Sequence, residues 1–143
     1  MTKEDLLATY GPQNLYIIAQ RQSRVIFGQA PTLRDLYAGD LAPVLLKILT
    51  GLIQHLEQYT SAKVKLNDLQ RQGLANVLIC RYPHLTITQV HLFVLLCMAG
   101  EFGKLYDHID PMDISTALHT YVHEYMPKYV REHWYEREHL TNT

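Results

Sequence analysis

The chain has 143 residues, of which 48% are apolar and 19% charged, with a net charge of −1. That is the length of one domain, enough to bury roughly two-thirds of the unfolded surface, and the apolar content excludes a disordered chain. A net charge so near zero removes any bulk electrostatic demand for nucleic acid or an anionic membrane.

The charge is unevenly spread: residues 1–81 carry +3 and residues 82–143 carry −4. Opposite signs in one short chain serve mutual attraction within a single fold more often than they serve a partner. The longest apolar runs, 41–53 and 90–99, are too short to span a bilayer, so no membrane association is expected. The opening Met-Thr-Lys-Glu-Asp-Leu lacks the basic-then-apolar order of a secretory signal. With only two cysteines, this predicts a cytoplasmic protein.

Taken along the chain, caps and periodicity predict helices. Thr2 with Asp5 opens a short one that Gly11-Pro12 ends. A second runs from Pro12 to Ser23, with Leu15, Ile18, Ala19 and Gln22 on one face. Val25 to Gly28 reads as a short extended piece. A turn of helix starts at Pro31-Thr32, and Gly39-Asp40 separates it from a long helix whose stripe runs from Leu41 through Leu56 to Tyr59. Asn67 or a neighbour caps the next helix, which Pro83 ends.

Thr86 and Gln89 form a capping box for a helix from Ile87 to Ala99 that is apolar on every face, which in a water-soluble fold marks a helix surrounded by others. Gly100 and Gly103 close it. Asp110, Pro111 and Asp113 supply a capping acid, a proline at the first helical position and a first-turn acid. Ile114, Ala117, Leu118, Tyr121 and Val122 form the inward stripe that follows. Pro127 either kinks this helix or begins another, rich in charge and aromatics from Lys128 to Leu140. The expected fold is all-α, a single domain over 1–143 built as an irregular bundle of about six helices, with 127–143 as a peripheral C-terminal helix.

Few residues carry chemistry. His119 and His123 stand four apart, the one spacing here that suits a transition metal, and would be the ligands of a metal-binding enzyme. Thr120 occupies the place of the zinc-protease general base, and only Glu124, His133 or His139 could add a ligand through folding. Cys80 and Cys97 lie on apolar runs and read as core residues. Asp107, Asp110 and Asp113 read as caps. Gly100 to Lys104 has two residues between its glycines instead of the phosphate loop's four, and Leu105 follows the lysine. With no nucleophile, base and orienting group in sequence, neither an enzyme nor a cofactor is expected. For nucleic acid the candidates are Arg21, Arg24, Lys63, Lys65 and Arg71. Tyr121, Tyr125 and Tyr129 recur every four residues, a packed aromatic ridge.

Three segments carry a resemblance. They are Tyr82-Pro83-His84-Leu85-Thr86-Ile87-Thr88-Gln89-Val90, then Ala99-Gly100-Glu101-Phe102-Gly103-Lys104-Leu105-Tyr106, then Ile109-Asp110-Pro111-Met112-Asp113-Ile114. Together they hold 23 residues within 82–114, and they resemble a Gly-x-Tyr-Gly-x-Tyr and Asp-Pro-x-x-Ile pattern in small proteins of phages and mobile elements of gut Bacteroidales. Gln89 stands where an acid is usual in that pattern, and Phe102 where a tyrosine is. The resemblance implies an origin in such an element and brings no activity with it.

By looser analogy with small helical proteins of such elements, the expected role is a non-enzymatic interaction module. A replication adaptor such as a helicase loader comes first, with an inhibitor of host defence or a nucleic-acid-binding protein as alternatives. Tyr129, Arg131, Trp134 and Tyr135 are the expected contacts to a protein partner. Nucleic acid and a second copy of the chain stay open as further partners.

Overall fold

In the computed structural model, residues 1–103 and 109–141 are described, and every regular element among them is helical. The chain is all-α. Its helical segments outnumber the roughly six expected, because two predicted helices divide and one piece expected to be extended is helical. Side chains of 139–141 lie outside the described residues, and so do Lys104, Leu105, Tyr106 and Asp107 from the loop, carboxylate and pattern readings.

Helix α1 (Lys3–Tyr10) opens with the Thr2/Asp5 capping box and ends where Pro12 forces Gly11 into extended backbone (φ −64°, ψ 162°). The predicted second helix breaks after a 3₁₀ turn (Pro12–Asn14) into α2 (Leu15–Ala19) and α3 (Gln22–Phe27). Val25 and Ile26 are therefore buried helical residues and no strand forms there. Helix α4 (Leu33–Leu36) is a single turn capped by Thr32. The short segment before it pairs with the entry to α7, Leu33 donating to the Leu85 carbonyl (2.8 Å) and Ile87 to that of Pro31 (2.9 Å).

Helix α5 (Ala42–Tyr59) buries Leu45, Ile48, Leu49, Leu52, Ile53 and Leu56 along one stripe. Gly51 lets Pro12 close on this helix, since a Cβ there would lie 2.7 Å from the proline ring. Helix α6 (Asp68–Arg81) is capped by Asn67 with Gln70, and buries Leu74, Ala75, Leu78 and Ile79.

Helix α7 (Ile87–Met98) is the central element, with α2, α3 and α5 packed around it. It ends in a Schellman motif: Glu101 donates to Leu96, Gly100 donates to Cys97, and Gly100 takes φ +79°, which costs a glycine little. Helix α8 (Pro111–Thr120) starts on the Asp110 cap as expected, its carboxylate accepting from the Met112 N–H at 2.7 Å.

The next turn, Tyr121–Tyr125, is π-helical, with the Met126 N–H reaching the Tyr121 carbonyl five residues back. Pro127 is the cause: it has no N–H for the His123 carbonyl and would collide with it in a regular α-turn. The chain continues as α9 (Met126–Glu132) and, after a break at His133, α10 (Trp134–Thr141).

Two polar networks hold this arrangement. In the first, Glu57 is buried at the end of α5, its carboxylate accepting from Arg71 Nε (2.6 Å) and from the Leu66 N–H (2.7 Å). The Glu57 hydrogen bond raises the pKa of the Arg71 guanidinium further and keeps it charged. In the second, Gln89 completes the Thr86 capping box while its amide donates to the Ile26 carbonyl (3.3 Å), and its own carbonyl accepts from the Tyr121 hydroxyl (2.8 Å). Because that side chain is buried, an acid at position 89 would place an unpaired charge against the Ile26 oxygen.

The Cys80 reading is corrected: the thiol is exposed on the outer face of α6, although its neighbour Ile79 is buried. An apolar run does not by itself fix which side of a helix faces inward.

His91 is fully buried on α7. Its Nδ1 donates to the Ile87 carbonyl at 2.7 Å, which fixes the neutral tautomer and leaves Nε2 as an acceptor with no partner among the described residues. Burial lowers the imidazole pKa, and the surrounding backbone of Ile87, Gly11 and Tyr10 offsets this only in part. A depressed folded-state value means that the stabilising neutral form is fully present above the unfolded value, about 6.5, and is lost as pH falls through the folded one.

Two predictions follow from these sites. Thermal denaturation should show stability falling below about pH 6.5, by up to ~1.4 kcal/mol per pH unit for one proton, with that component absent in His91→Gln; an identical pH profile in the variant would contradict the assignment. Arg71→Ala should cost about 3–5 kcal/mol in urea denaturation by stranding the buried Glu57 carboxylate, and a cost below about 1 kcal/mol would refute the role given to the pair.

Candidate interaction surface

The C-terminal helices sit on α3, and the contacts explain which of their aromatics turn inward. The Tyr129 hydroxyl donates to Ser23, and Ser23 donates in turn to the Glu136 carboxylate. Gln22 donates to the Tyr125 hydroxyl. The Tyr129 ring packs on Phe27 (centroids 6.0 Å apart) and stacks on His133 at 4.0 Å. Burial pushes the Tyr129 hydroxyl pKa up, and the nearby Glu136 carboxylate acts in the same direction. Tyr129 is thus an internal clamp rather than a free anchor. Tyr121 lies deeper still, with its ring 5.4 Å from Phe93, and together with Tyr125 it makes the packed ridge that the spacing predicts.

The other three expected contacts face outward. Trp134 is 53% exposed and Tyr135 63%, and Arg131 is exposed on α9. The Arg137 guanidinium lies 4.9 Å from the centre of the Trp134 ring, a cation–π contact that limits the ring's freedom without covering it. Two aromatic side chains are displayed side by side on a helix fixed from behind by the Ser23, Tyr129 and Glu136 chain. A separate groove of about 450 Å³, lined by Gln22, Phe102, Glu124, Lys128 and His133 among others, runs along the π turn and α9 and includes neither Trp134 nor Tyr135.

The basic residues divide. Arg71 is committed to Glu57 and Asp68, and the Lys65 ammonium donates to the Glu57 and Thr60 carbonyls, closing the connection between α5 and α6. Lys63 is exposed beside them. Arg21 and Arg24 are exposed at the rim of an apolar groove of about 500 Å³ lined by Tyr10, Ile17, Ile18 and Val25, and neither forms an ion pair among the described residues. The five candidates therefore form two groups on different elements, and in one of them Arg71 is paired with carboxylates and Lys65 is tied to backbone carbonyls.

His119 and His123 do come together, with ring centres 4.3 Å apart on the exposed side of α8 and the π turn. Among the described residues no third His, Cys, Asp or Glu joins them in a metal-binding group. His133, a candidate third ligand, is turned toward the Tyr129 carbonyl (3.1 Å), and the His139 side chain lies outside the described residues. Cys97 lines a cavity of about 300 Å³ near Phe102 and Thr120, where burial pushes its thiol up to about 12 and keeps it protonated at neutral pH.

Sequence reasoning missed Ser23, Gln22 and Glu136. Their roles depend on α3 and α10 meeting across more than a hundred residues, and no local spacing encodes that. No protein-family model matches the chain, and no curated protein or solved structure matches it. No helix among the described residues is long and apolar enough to cross a membrane.

The split between inward and outward aromatics has a direct consequence for stability. Tyr129→Ala should lower it by about 1–3 kcal/mol, through the lost packing on Phe27 and His133 and the lost hydrogen bond to Ser23. Trp134→Ala and Tyr135→Ala should each stay within ~0.5 kcal/mol of wild type. Thermal denaturation of the three variants checks the ordering, and a larger loss for Trp134→Ala than for Tyr129→Ala would reverse the assignment.

Proposed function

We propose that the chain is a non-enzymatic protein-interaction module of a phage or mobile element, acting in the cytoplasm of its host through Trp134, Tyr135 and Arg131. The observation that carries this reading is the exposed pair Trp134 and Tyr135 on a helix tethered by buried polar contacts. Tryptophan, tyrosine and arginine are the residues that dominate interface energetics, and a helix held in place before binding loses less entropy when a partner docks. The resemblance of the segments around Thr86, Gly100 and Asp110 to phage and mobile-element proteins supports the origin alone; the role comes from the looser analogy with small helical proteins of such elements, a replication adaptor such as a helicase loader. An inhibitor of host defence would use the same surface on a different partner.

A second reading, nucleic-acid binding, is favoured by one observation: Arg21 and Arg24 are exposed without an ion pair among the described residues. Two arginines supply few phosphate contacts, so this binding would be weak and would fade at modest salt.

The test compares capture from host lysate by the wild-type chain and by the Trp134→Ala/Tyr135→Ala double variant, read by mass spectrometry. The expected result is a specific protein lost from the variant, and its being a helicase or a defence nuclease separates the two roles. Identical captured sets would refute the surface. Binding of labelled single-stranded DNA that disappears in Arg21→Ala/Arg24→Ala, with no protein captured, would favour the second reading.

A further inference from the structure

The outward face of α6 is unlike the rest of the surface. Around the helix, Leu69, Gly73, Val77 and Cys80 fall within about 40° of one another's mid-line, opposite the buried Leu74, Ala75, Leu78 and Ile79. Leu69 is 78% exposed and Val77 37%, and Gly73 and Cys80 are exposed between them. Gln70, Gln72 and Asn76 flank this row. From Leu69 to Cys80 the one charged side chain is Arg71, and it turns away to Glu57.

Gly73 has no internal reason to be a glycine. Its φ is not positive, and a Cβ built there meets nothing within 4 Å among the described residues. A glycine in mid-helix weakens the helix relative to alanine, but it leaves the backbone of α6 open to close approach by a neighbouring molecule.

We infer that this face is a self-association surface on which α6 of a second copy crosses antiparallel at Gly73. Three properties select a second copy as the occupant. Leu69 and Val77 stand four residues before and after Gly73, so a two-fold axis there sets each leucine against the partner's valine, twice over. The face carries no formal charge, so it meets its own copy without the like-charge repulsion that most other surfaces of this chain, with 27 charged residues, would suffer. Its flanking amides are both donors and acceptors, and hence complementary to themselves. Antiparallel crossing also opposes the helix dipoles favourably. A helix of 14 residues is about 20 Å long, so the contact is small and the dimer belongs to the weak, micromolar class.

Sedimentation equilibrium of the full chain over a range of micromolar concentrations tests this. The mass should rise from 16.6 kDa toward twice that value with concentration, and Leu69→Glu, which changes an exposed side chain, should hold it at the monomer value throughout. Gly73→Ala gives opposite signs in two readouts: a melting temperature a few degrees higher at the lowest concentration, and association weakened about tenfold or more. A wild-type chain that stays monomeric at the highest concentration overturns the inference, as does a dimer that persists in both variants. Because these outcomes do not involve Trp134 or Tyr135, they stand or fall separately from the partner surface above.

Discussion

The fold turns on Gln89. Its backbone and amide are buried in the first turn of the central helix, so each of its polar atoms must find a partner inside the protein. It finds three, in its own N-cap at Thr86, in α3 at Ile26 and in the π turn at Tyr121. These bonds fix how α3 and the C-terminal half meet the central helix. They also set the π turn, because Tyr121 must face inward while Pro127 forbids a regular turn six residues later. The widened turn reconciles both demands and carries Tyr125, Met126, Tyr129 and Val130 onto the same side of the core.

Function enters through what this inward commitment leaves over. Four aromatics, Phe102 after the central helix and then Tyr121, Tyr125 and Tyr129, are spent on the interior or its edge. Trp134 and Tyr135 follow the break at His133, and the change of direction there turns them outward. The surface proposed for a partner is therefore a consequence of where α9 stops. In the basic half, Arg71 is spent on the Glu57 and Asp68 carboxylates and Lys65 on the Glu57 and Thr60 carbonyls, whereas Arg21 and Arg24 are exposed together at the rim of one groove.

Much of this was legible in the chain. The Thr2, Asn67 and Thr86 capping boxes, the Asp110-Pro111 start and the all-round apolar character of 87–98 each depend on residues within one or two turns, and each stands where the spacing places it. The misreadings share a cause. The break at Gln20 and Arg21, the helical state of Val25 to Phe27 and the exposure of Cys80 are set by packing on α7 and α5 rather than by local propensity. The engagement of Arg71, Lys65 and Tyr129 was equally hidden, since charge and aromaticity on a helix surface look alike in sequence whether they meet a partner residue or water. Arg131, Trp134 and Tyr135 are exposed, which the mixture of charge and aromatics from Lys128 to Leu140 already suggested without knowledge of the fold.

Hydrogen exchange, followed by mass spectrometry on the intact chain, tests the central claim that the C-terminal helices are seated on α3 and share the stability of the core. Amides of 87–98 should exchange only through global unfolding, and those of 22–27 and 121–132 should show protection of the same order. Exchange of 121–132 at the rate of an unstructured chain, while 87–98 stays protected, would contradict the account.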